Sequence, residues 1–267
     1  MELNISLAQI DIRFGEPAAN FETVTRMTEE AKRRGSDLVL FPELWSTAYD
    51  LTNASRYAST LDVCLFADLS ALAKRTGIYL LGSTLSLLGE DKFGNTLTVF
   101  APDGTLLADY SKIHLFRLMD EHQYLTAGDK PVLVDLPSGR AGLAICYDLR
   151  FPELFRGYAL AGAEMTFLPA EWPNPRLVHW QTLVRARAIE NQMFVFACNR
   201  VGRDPRNEFF GHSMVVDPWG EILAEGGEGE ELITLTVDLA KVQEARRKIP
   251  ILSDRRPEVY TSRSASS

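Results

Sequence analysis

The amino-acid sequence predicts one α/β domain, with two sheets or one large mixed sheet covered by helices. Apolar, strand-like runs alternate with amphipathic segments of helical period along nearly the whole chain. The connections between them are short, and no Ser-rich linker or change in composition occurs before the final TSRSASS. With 267 residues, 46% of them hydrophobic, the chain can bury a full core. We therefore expect residues 1–267 to form a single domain.

In the first half of the chain, predicted strands alternate with predicted helices, and a hairpin follows them. ISLAQIDI is predicted to be a first strand and not a secretion signal, because no cationic segment or long apolar run accompanies it. A helix follows Pro17 and ends at Gly35, and a second amphipathic helix ends at Gly77. The face of the first helix carries Phe21, Val24, Thr28 and Ala31. DLVLFPE and IYLLGSTLS are buried strands, and the Asp-Gly pair in NTLTVFAPDGTLLADYSK predicts a hairpin.

The second half repeats the same alternation. The predicted strands are PVLVDL, RAGLAIC, EMTFLPA, MFVFACNRV and ELITLTVDL, and the predicted helices are FPELFRGYALAGA and RLVHWQTLVRARAIENQ. HSMVVDPWGEILAEG contains two strands joined at the DPWG turn. After Lys241 the pattern indicates a short helix and an extended tail.

Composition excludes several classes of function. A net charge of -8 and an isoelectric point near 5.1 argue against a nucleic-acid surface, and no basic cluster is interleaved with aromatics. No apolar run is long enough to span a membrane. Three cysteines without a CxxC pair fit a reducing cytoplasm better than a disulfide framework. Four histidines show no metal-ligand spacing, and GGEGE joins two strands without opening a helix, so we expect neither a metal nor a phosphate-bearing cofactor.

One cysteine lies in a segment typical of a reactive thiol. Cys146 ends the apolar strand RAGLAIC, and a short charged turn then leads into a helix, whose backbone N–H groups would favour a thiolate and an oxyanion. Taken alone, a cysteine in this position is as well explained as a small core residue. Three charges within two turns of Cys146 favour a function, whereas Cys64 and Cys198 are assigned to packing.

Two further strand ends carry side chains with complementary chemistry. Glu43 follows the buried strand of LVLFPELW, and Lys112 follows the strand of TLLADYSK. α/β proteins place their chemistry at such ends. Judged singly, each residue is better explained as a surface carboxylate or a solvated strand terminus.

Taken together, the three segments resemble a known family. FPELW around Glu43, SKIHLF around Lys112 and CYDLRFPEL around Cys146 are similar to the signature motifs of the nitrilase superfamily, the carbon-nitrogen hydrolases. The resemblance continues through RARAIENQ, DPWG and RRKIPIL, over nearly the whole chain. It implies a four-layer α-β-β-α sandwich of two mixed sheets flanked by helices. It also implies a homodimer or higher homo-oligomer, with a C-terminal extension from about residue 240 at the interface.

The resemblance also implies a mechanism. Glu43 would take the proton of the Cys146 thiol, and the sulfur would attack an amide carbon to form a thioester that water then hydrolyses. Lys112 and the backbone N–H of Tyr147 would stabilise the oxyanion. Glu121 is the candidate for the family's second glutamate, which holds the lysine, although it is also explained as a loop carboxylate.

Substrate choice depends on fewer residues. Arg150 corresponds to an arginine that binds the substrate carboxylate in carboxylate-selective relatives, and a salt bridge to Asp148 or Glu153 is the alternative. Trp172, after another strand in PAEWP, lines the pocket or packs in the core. Phe116 and Tyr124 are weaker candidates for the pocket wall.

Within the superfamily, KIHLFRLMDEHQYLTAGD most resembles the Nit2-like ω-amidase branch. This implies a small carboxylate-bearing amide, 2-oxoglutaramate or 2-oxosuccinamate, as substrate, without a cofactor. The alternatives are hydrolysis of N-carbamoyl amino acids or other small amides. A non-hydrolytic relative that transfers the acyl group or only binds ligand is a different class.

Overall fold

The computed structural model describes residues 1–260 and contains two six-stranded sheets. The strands are β1 (Glu2–Gln9), β2 (Leu38–Leu40), β3 (Tyr79–Gly89), β4 (Lys92–Phe100), β5 (Leu106–Ser111), β6 (Leu133–Leu136), β7 (Gly139–Leu143), β8 (Met165–Ala170), β9 (Phe194–Asn199), β10 (Val201–Arg203), β11 (Glu208–Phe210), β12 (Met214–Val216), β13 (Ile222–Glu225) and β14 (Glu231–Asp238). The helices are α1 (Pro17–Arg33), α2 (Ala54–Tyr57), α3 (Cys64–Thr76), α4 (Glu121–Tyr124), α5 (Pro152–Leu160), α6 (Leu177–Asn191), α7 (Ala240–Lys248) and α8 (Pro257–Tyr260). Short 3-10 helices span Leu51–Asn53, Arg117–Met119 and Cys146–Arg150.

The two sheets share one topology. The first has the order β14-β1-β2-β3-β4-β5, and the second has the order β13-β12-β9-β8-β7-β6. In each, three neighbouring strands are parallel and the flanking strands are antiparallel. Helices α1 and α3 connect the parallel strands of the first sheet, and α5 and α6 connect those of the second. Each half of the chain is therefore a β-α-β-α-β unit extended by antiparallel strands.

Side chains along the strands of the first sheet alternate between two cores, one on each face of the sheet. In β2, Leu38 and Leu40 belong to the core shared with the second sheet, whereas Val39 packs into the core beneath α1 and α3. In β1, Leu7 faces the shared core and Ala8 faces the helices in the same way. Successive side chains of a strand point to opposite faces, so one sequence run serves two cores. The predicted four-layer sandwich is confirmed.

Most of the predicted elements occur where the patterns placed them. Gly77 ends α3 in a left-handed conformation with φ 67°, and Gly104 provides the positive φ of the turn between β4 and β5. The elements that sequence patterns missed are short ones, namely α2, α4, the β10–β11 hairpin and α8, which lies in the tail predicted to be extended. The GGEGE segment crosses from β13 of the second sheet to β14 of the first and is not a hairpin turn.

Cys64 and Cys198 were both assigned to core packing, and this assignment is correct for Cys198 alone. Cys198 is buried in β9. Cys64 is exposed, so its assignment to packing was wrong. It is the first residue of α3 and has φ 51°, outside the helical conformation, so the apolar period of the helix begins only after it.

The C-terminal segment packs partly on its own chain. Val242 and Ala245 of α7 are buried, and the side chain of Gln192 donates hydrogen bonds to the backbone oxygens of Ala245 and Ile249. The predicted role of the segment from about residue 240 at an oligomer interface stays a prediction.

Candidate active site

The ends of strands from both sheets bring Glu43, Lys112 and Cys146 together. Glu43 follows β2, Lys112 comes directly after β5, and Cys146 opens the 3-10 helix after β7. The Glu43 and Lys112 side chains are 0% exposed, and Cys146 is 4% exposed. The surface explanations of Glu43 and Lys112 are therefore wrong.

Lys112 links two carboxylates. Its Nζ lies 2.7 Å from Oε1 of Glu43 and 2.7 Å from Oε1 of Glu121. Glu121 is fully buried as the first residue of α4, so it is not a solvated loop carboxylate. Two anions and one cation, removed from water, persist because they pair with one another and with neutral donors.

Four neutral donors complete the environment of the two carboxylates. Asn95 Nδ2 donates to Glu43 Oε1 at 2.8 Å, and the backbone N–H of Glu171 donates to Glu43 Oε2 at 2.9 Å. The Tyr49 hydroxyl donates to Glu121 Oε1 at 2.8 Å, and the backbone N–H of Phe116 donates to Glu121 Oε2 at 2.5 Å. Each carboxylate is thus fixed in orientation by at least three donors, counting Lys112.

Burial and charge set the protonation of the site. Burial alone would lower the pKa of Lys112, but Glu121 and Glu43 together raise it well above its usual value, so the ammonium persists. Burial raises the pKa of the Cys146 thiol well above its usual value, and the Glu43 charge adds to this more than Glu121 does. Desolvation of the sulfur therefore opposes the thiolate that the turn after Cys146 was expected to favour.

The backbone at Cys146 is held in an uncommon conformation by its own turn. Cys146 has φ 45°, in the left-handed region that non-glycine residues seldom adopt. Buried Asp148 anchors the turn, because its carboxylate accepts hydrogen bonds from Ile145 N at 2.8 Å and from the Tyr110 hydroxyl at 2.7 Å, and contacts Nδ1 of His114 at 2.7 Å. The strand-to-helix junction therefore presents the sulfur rigidly.

A narrow pocket opens beside the sulfur. It is lined by Phe116, Cys146, Tyr147, Arg150, Glu171, Trp172, Pro173 and Arg176. Trp172 serves both predicted purposes, since it is 3% exposed, packs 5.6 Å from the Trp180 ring and also forms part of the pocket wall. Tyr147 lies with its ring 4.8 Å from that of Phe116.

Arg150 is not engaged in either predicted salt bridge. Its guanidinium lies 4.8 Å from the centre of the Trp172 ring and 3.3 Å from Nδ1 of His179. Asp148 is occupied by the donors of its own turn. Within residues 1–260, Glu153 forms no ion pair with Arg150. The arginine lines the pocket instead.

Tyr124 was placed wrongly. It lines another cavity, with Tyr49, Asp120 and Arg206, and not the wall of the pocket beside the sulfur. Sequence reasoning also missed Asn95, Tyr49 and Arg176. Only Arg176 had an available signal, because it follows Trp172 closely in the PAEWPNPR run.

Within residues 1–260, no group of three His, Cys, Asp or Glu side chains is arranged to hold a metal ion. No helix in that part of the chain combines the length and apolarity needed to cross a membrane.

Comparison with known proteins identifies the family. The family model for carbon-nitrogen hydrolases matches residues 4–247. The chain belongs to this family. The match includes the Glu43, Lys112 and Cys146 segments and ends within α7, so the resemblance to the nitrilase superfamily is confirmed.

Curated relatives and solved structures agree with this membership. A Bacillus subtilis (strain 168) protein named 2-oxoglutaramate amidase is 40% identical over 97% of this chain and 100% of its own length. Mouse omega-amidase NIT2 is 36% identical over 91% of this chain and 91% of its own length. The crystal structure of XC1258 from Xanthomonas campestris, a CN-hydrolase superfamily protein with an arsenic adduct in its active site, superposes with a TM-score of 0.90 at 34% identity, covering 96% of this chain and 98% of that one. This chain is a Nit2-like carbon-nitrogen hydrolase.

Proposed function

We propose that the protein hydrolyses the terminal amide of 2-oxoglutaramate or 2-oxosuccinamate, releasing ammonia and a 2-oxo dicarboxylate. The main support for this chemistry is the buried ammonium of Lys112 near the Cys146 thiol. Its Nζ lies 2.7 Å from Oε1 of Glu43 and 2.7 Å from Oε1 of Glu121. The choice of amide is supported by the name of the Bacillus subtilis relative and by an arginine in the pocket wall.

In the first step, Glu43 acts as general base. It takes the proton of the neutral Cys146 thiol while the sulfur forms a bond to the amide carbon, and the carbonyl π electrons move to oxygen. Lys112 Nζ has three N–H donors, and two of them point at carboxylates, which leaves one for the oxyanion. The backbone N–H of Tyr147, in the first turn of the 3-10 helix, supplies the second donor.

In the second step, the adduct collapses to a thioester. Glu43 returns its proton to the amide nitrogen, the C–N bond breaks, and ammonia leaves. Glu43 then deprotonates a water molecule that attacks the thioester carbon, and the sulfur departs with that proton to restore the thiol. Glu121 does not take part in proton transfer; it holds Lys112 in position, and Tyr49 and Phe116 hold Glu121.

Binding of the substrate depends on the pocket wall. The planar guanidinium of Arg150 is free of carboxylates and suits a bidentate pair with the substrate acid group. Trp172 and Tyr147 flank the chain that joins this group to the amide.

Ammonia release measured across a panel of amides tests the proposed function. The panel is 2-oxoglutaramate, glutamine, an N-carbamoyl amino acid and a simple nitrile, each with the wild-type protein and with Cys146→Ala. We expect 2-oxoglutaramate to give the highest kcat/KM and Cys146→Ala to release no ammonia. If 2-oxoglutaramate is no better than the others, the ω-amidase assignment fails, and hydrolysis of N-carbamoyl amino acids or other small amides replaces it if one of them is preferred.

Added hydroxylamine separates hydrolysis from acyl transfer. A hydrolase converts the amide to the free acid in water alone, and hydroxylamine only diverts part of its thioester to the hydroxamate. An acyl-transferring enzyme forms little free acid, and releases little ammonia, until the acceptor is added. A protein that only binds ligand releases no ammonia under either condition.

We further propose that the protein works in the cytoplasm as a homodimer or higher oligomer, with the segment from about residue 240 at the interface. The three free cysteines fit a reducing compartment. Exposed apolar residues after α7, Ile249 and Val259, support a contact of that segment with a second copy.

A further inference from the structure

Two guanidinium groups face the pocket that contains the Cys146 sulfur. Arg150 lies in the turn after Cys146, and Arg176 immediately precedes α6. Both line the pocket. They come from different segments of the second half of the chain, so the fold, and not sequence proximity, places them at one pocket.

Neither guanidinium is neutralised by a carboxylate in the described chain. Arg150 contacts only the Trp172 ring and His179, and Arg176 lies with its guanidinium carbon 5.9 Å from the centre of the Phe116 ring. The buried arginines elsewhere, Arg187 and Arg200, each pair with glutamate at 2.8 Å. A protein of net charge -8 has many carboxylates available, and two unneutralised cations beside a nucleophile therefore suggest an anionic ligand.

One tryptophan positions both arginines. The Trp172 ring lies against the Arg150 guanidinium, and Trp172 Nε1 donates to the backbone oxygen of Arg176 at 3.2 Å. Because Trp172 is 3% exposed and packed against Trp180, this support is rigid. The two cations are thus held on a common wall before a ligand enters.

We infer that Arg176 is a specificity-determining residue that acts with Arg150 to select amides whose far end is a 2-oxo acid over amides of amino acids. The inference rests on the proposed function and adds to it a second residue and a basis for discrimination. It assigns Arg176 no part in the chemistry at the sulfur.

The basis is the chemistry of the substrate's far end. A 2-oxo acid presents acceptor oxygens only, two on the carboxylate and one on the ketone, and these match two planar donor groups. An amino acid of the same length replaces the ketone by an ammonium, which has no acceptor and is repelled by both guanidiniums. 2-Oxoglutaramate and glutamine share the same terminal amide, so the two arginines would separate them without any difference at the reacting carbon.

Replacement of Arg176 by methionine tests this inference against three amides: 2-oxoglutaramate, glutamine and butyramide. We expect kcat/KM for 2-oxoglutaramate to fall about 10- to 100-fold, mainly through KM, as expected for the loss of one charge-assisted contact. Butyramide, which has no charge, should change less than about twofold, and the preference for 2-oxoglutaramate over glutamine should narrow by about tenfold or more. Arg176→Lys keeps the charge without the planar fork and should give an intermediate KM.

Arg26→Met is the matched control. Arg26 is an exposed arginine on α1, on the opposite side of the first sheet from the pocket, so this change removes the same charge without touching the site. It should leave all three substrates unchanged.

Three results would overturn the inference: an equal loss on butyramide, no change on any substrate, or the same shift in Arg26→Met. Equilibrium binding of 2-oxoglutarate tests the inference without turnover. The Kd of Cys146→Ala is compared with that of the double variant that also carries Arg176→Met, and the double variant should have a Kd about tenfold higher or more. The wild-type preference is measured separately, so a failure of the proposed function is seen in the wild type alone and a failure of this inference only in the variants.

Discussion

Two charge clusters, each built around a buried cation, lie side by side in this protein and differ in what their cations bind. In the first, Lys112 lies between Glu43 and Glu121; in the second, Arg200 lies between Glu171 and Asp11. The clusters touch, because the backbone N–H of Glu171 donates to Glu43.

The Arg200 guanidinium uses its donors to hold loops together. It reaches Glu171 at 2.8 Å, Asp11 at 3.2 Å and the backbone oxygen of Ile12 at 2.7 Å, and it lies 4.3 Å from the centre of the Phe209 ring. Within residues 1–260, Lys112 has two acceptors for its three donors. The comparison teaches that a cation whose donors join distant segments stabilises the fold, whereas a cation with a donor left over beside a nucleophile is available for the reaction.

Replacement of the cation is the change whose effect on kcat should differ most between the two clusters. Lys112→Met leaves Glu43 and Glu121 buried without their cation, so we expect the free energy of unfolding to fall by about 3–5 kcal/mol. We also expect kcat per folded molecule to fall by about 1,000-fold or more, because the oxyanion loses a donor and Glu43 loses its orientation. Denaturant unfolding and active-site-corrected kinetics measure the two effects.

Arg200→Met is the matched control for that loss. Glu171 is protonated near neutral pH, so this change leaves no buried glutamate charge uncompensated, and the lost guanidinium hydrogen bonds should lower the free energy of unfolding by about 1–3 kcal/mol. The folded fraction should keep kcat within about tenfold of the wild type. If Arg200→Met lost as much kcat as Lys112→Met at equal folded fraction, the division into a structural and a reactive cluster would be wrong.

Sequence alone predicted the residues of the reactive cluster better than those of the structural one. Glu43, Lys112 and Cys146 follow apolar runs, and the strand-end rule and the family motifs both point to them. Arg200 and Asp11 also follow apolar strands, β9 and β1, but no recognised family motif contains them. Their pairing depends on β9 reaching the loop after β1, a contact between distant parts of the chain that no local period encodes.

The supporting donors were predictable only in part. Asn95 is inside β4, where a polar residue in an alternating strand carries no sign of its partner, and Tyr49 lies in an irregular segment. The backbone N–H groups of Phe116 and Glu171 have no side-chain signature at all. Tyr124 lies at the other end of the short helix α4 from Glu121, and it lines the cavity with Tyr49 and not the pocket beside the sulfur.

The free energy of unfolding, measured as a function of pH, tests whether Glu171 in the Arg200 cluster is protonated in the folded state. Burial raises the pKa of Glu171 from 4.5 to about 8 despite Arg200, and its Oε1 has no hydrogen-bond partner within residues 1–260. Because the folded state holds this proton more tightly than the unfolded chain, its contribution to stability is full below about pH 4.5 and is lost as the pH rises through about 8.

Glu171→Gln removes that titration but keeps the shape and an acceptor for Arg200. Relative to the wild type, the variant should therefore gain stability from pH 5 to pH 8, by at most about 5 kcal/mol. Urea unfolding of both proteins at one-unit intervals gives the difference directly. A difference that is flat with pH would mean that Glu171 is ionised throughout, with Arg200 fully compensating its burial.

The smallest expected effect concerns the hydroxyl that orients Glu121. Tyr49→Phe removes the 2.8 Å hydrogen bond to Oε1 of Glu121, leaving Lys112 as the remaining donor to that oxygen. We expect a loss of about 1–2 kcal/mol in the free energy of unfolding and a drop of a few-fold in kcat. KM should be unchanged, because Tyr49 lines the separate cavity and not the pocket beside the sulfur. Tyr57→Phe, which removes the 2.7 Å hydrogen bond to Asp50, is the control for losing a similar hydroxyl outside the Lys112 cluster. Tyr57→Phe should leave kcat unchanged. An equal drop of kcat in both variants would show that the effect comes from general loosening of this loop. Glu121 would then hold Lys112 without the Tyr49 hydrogen bond.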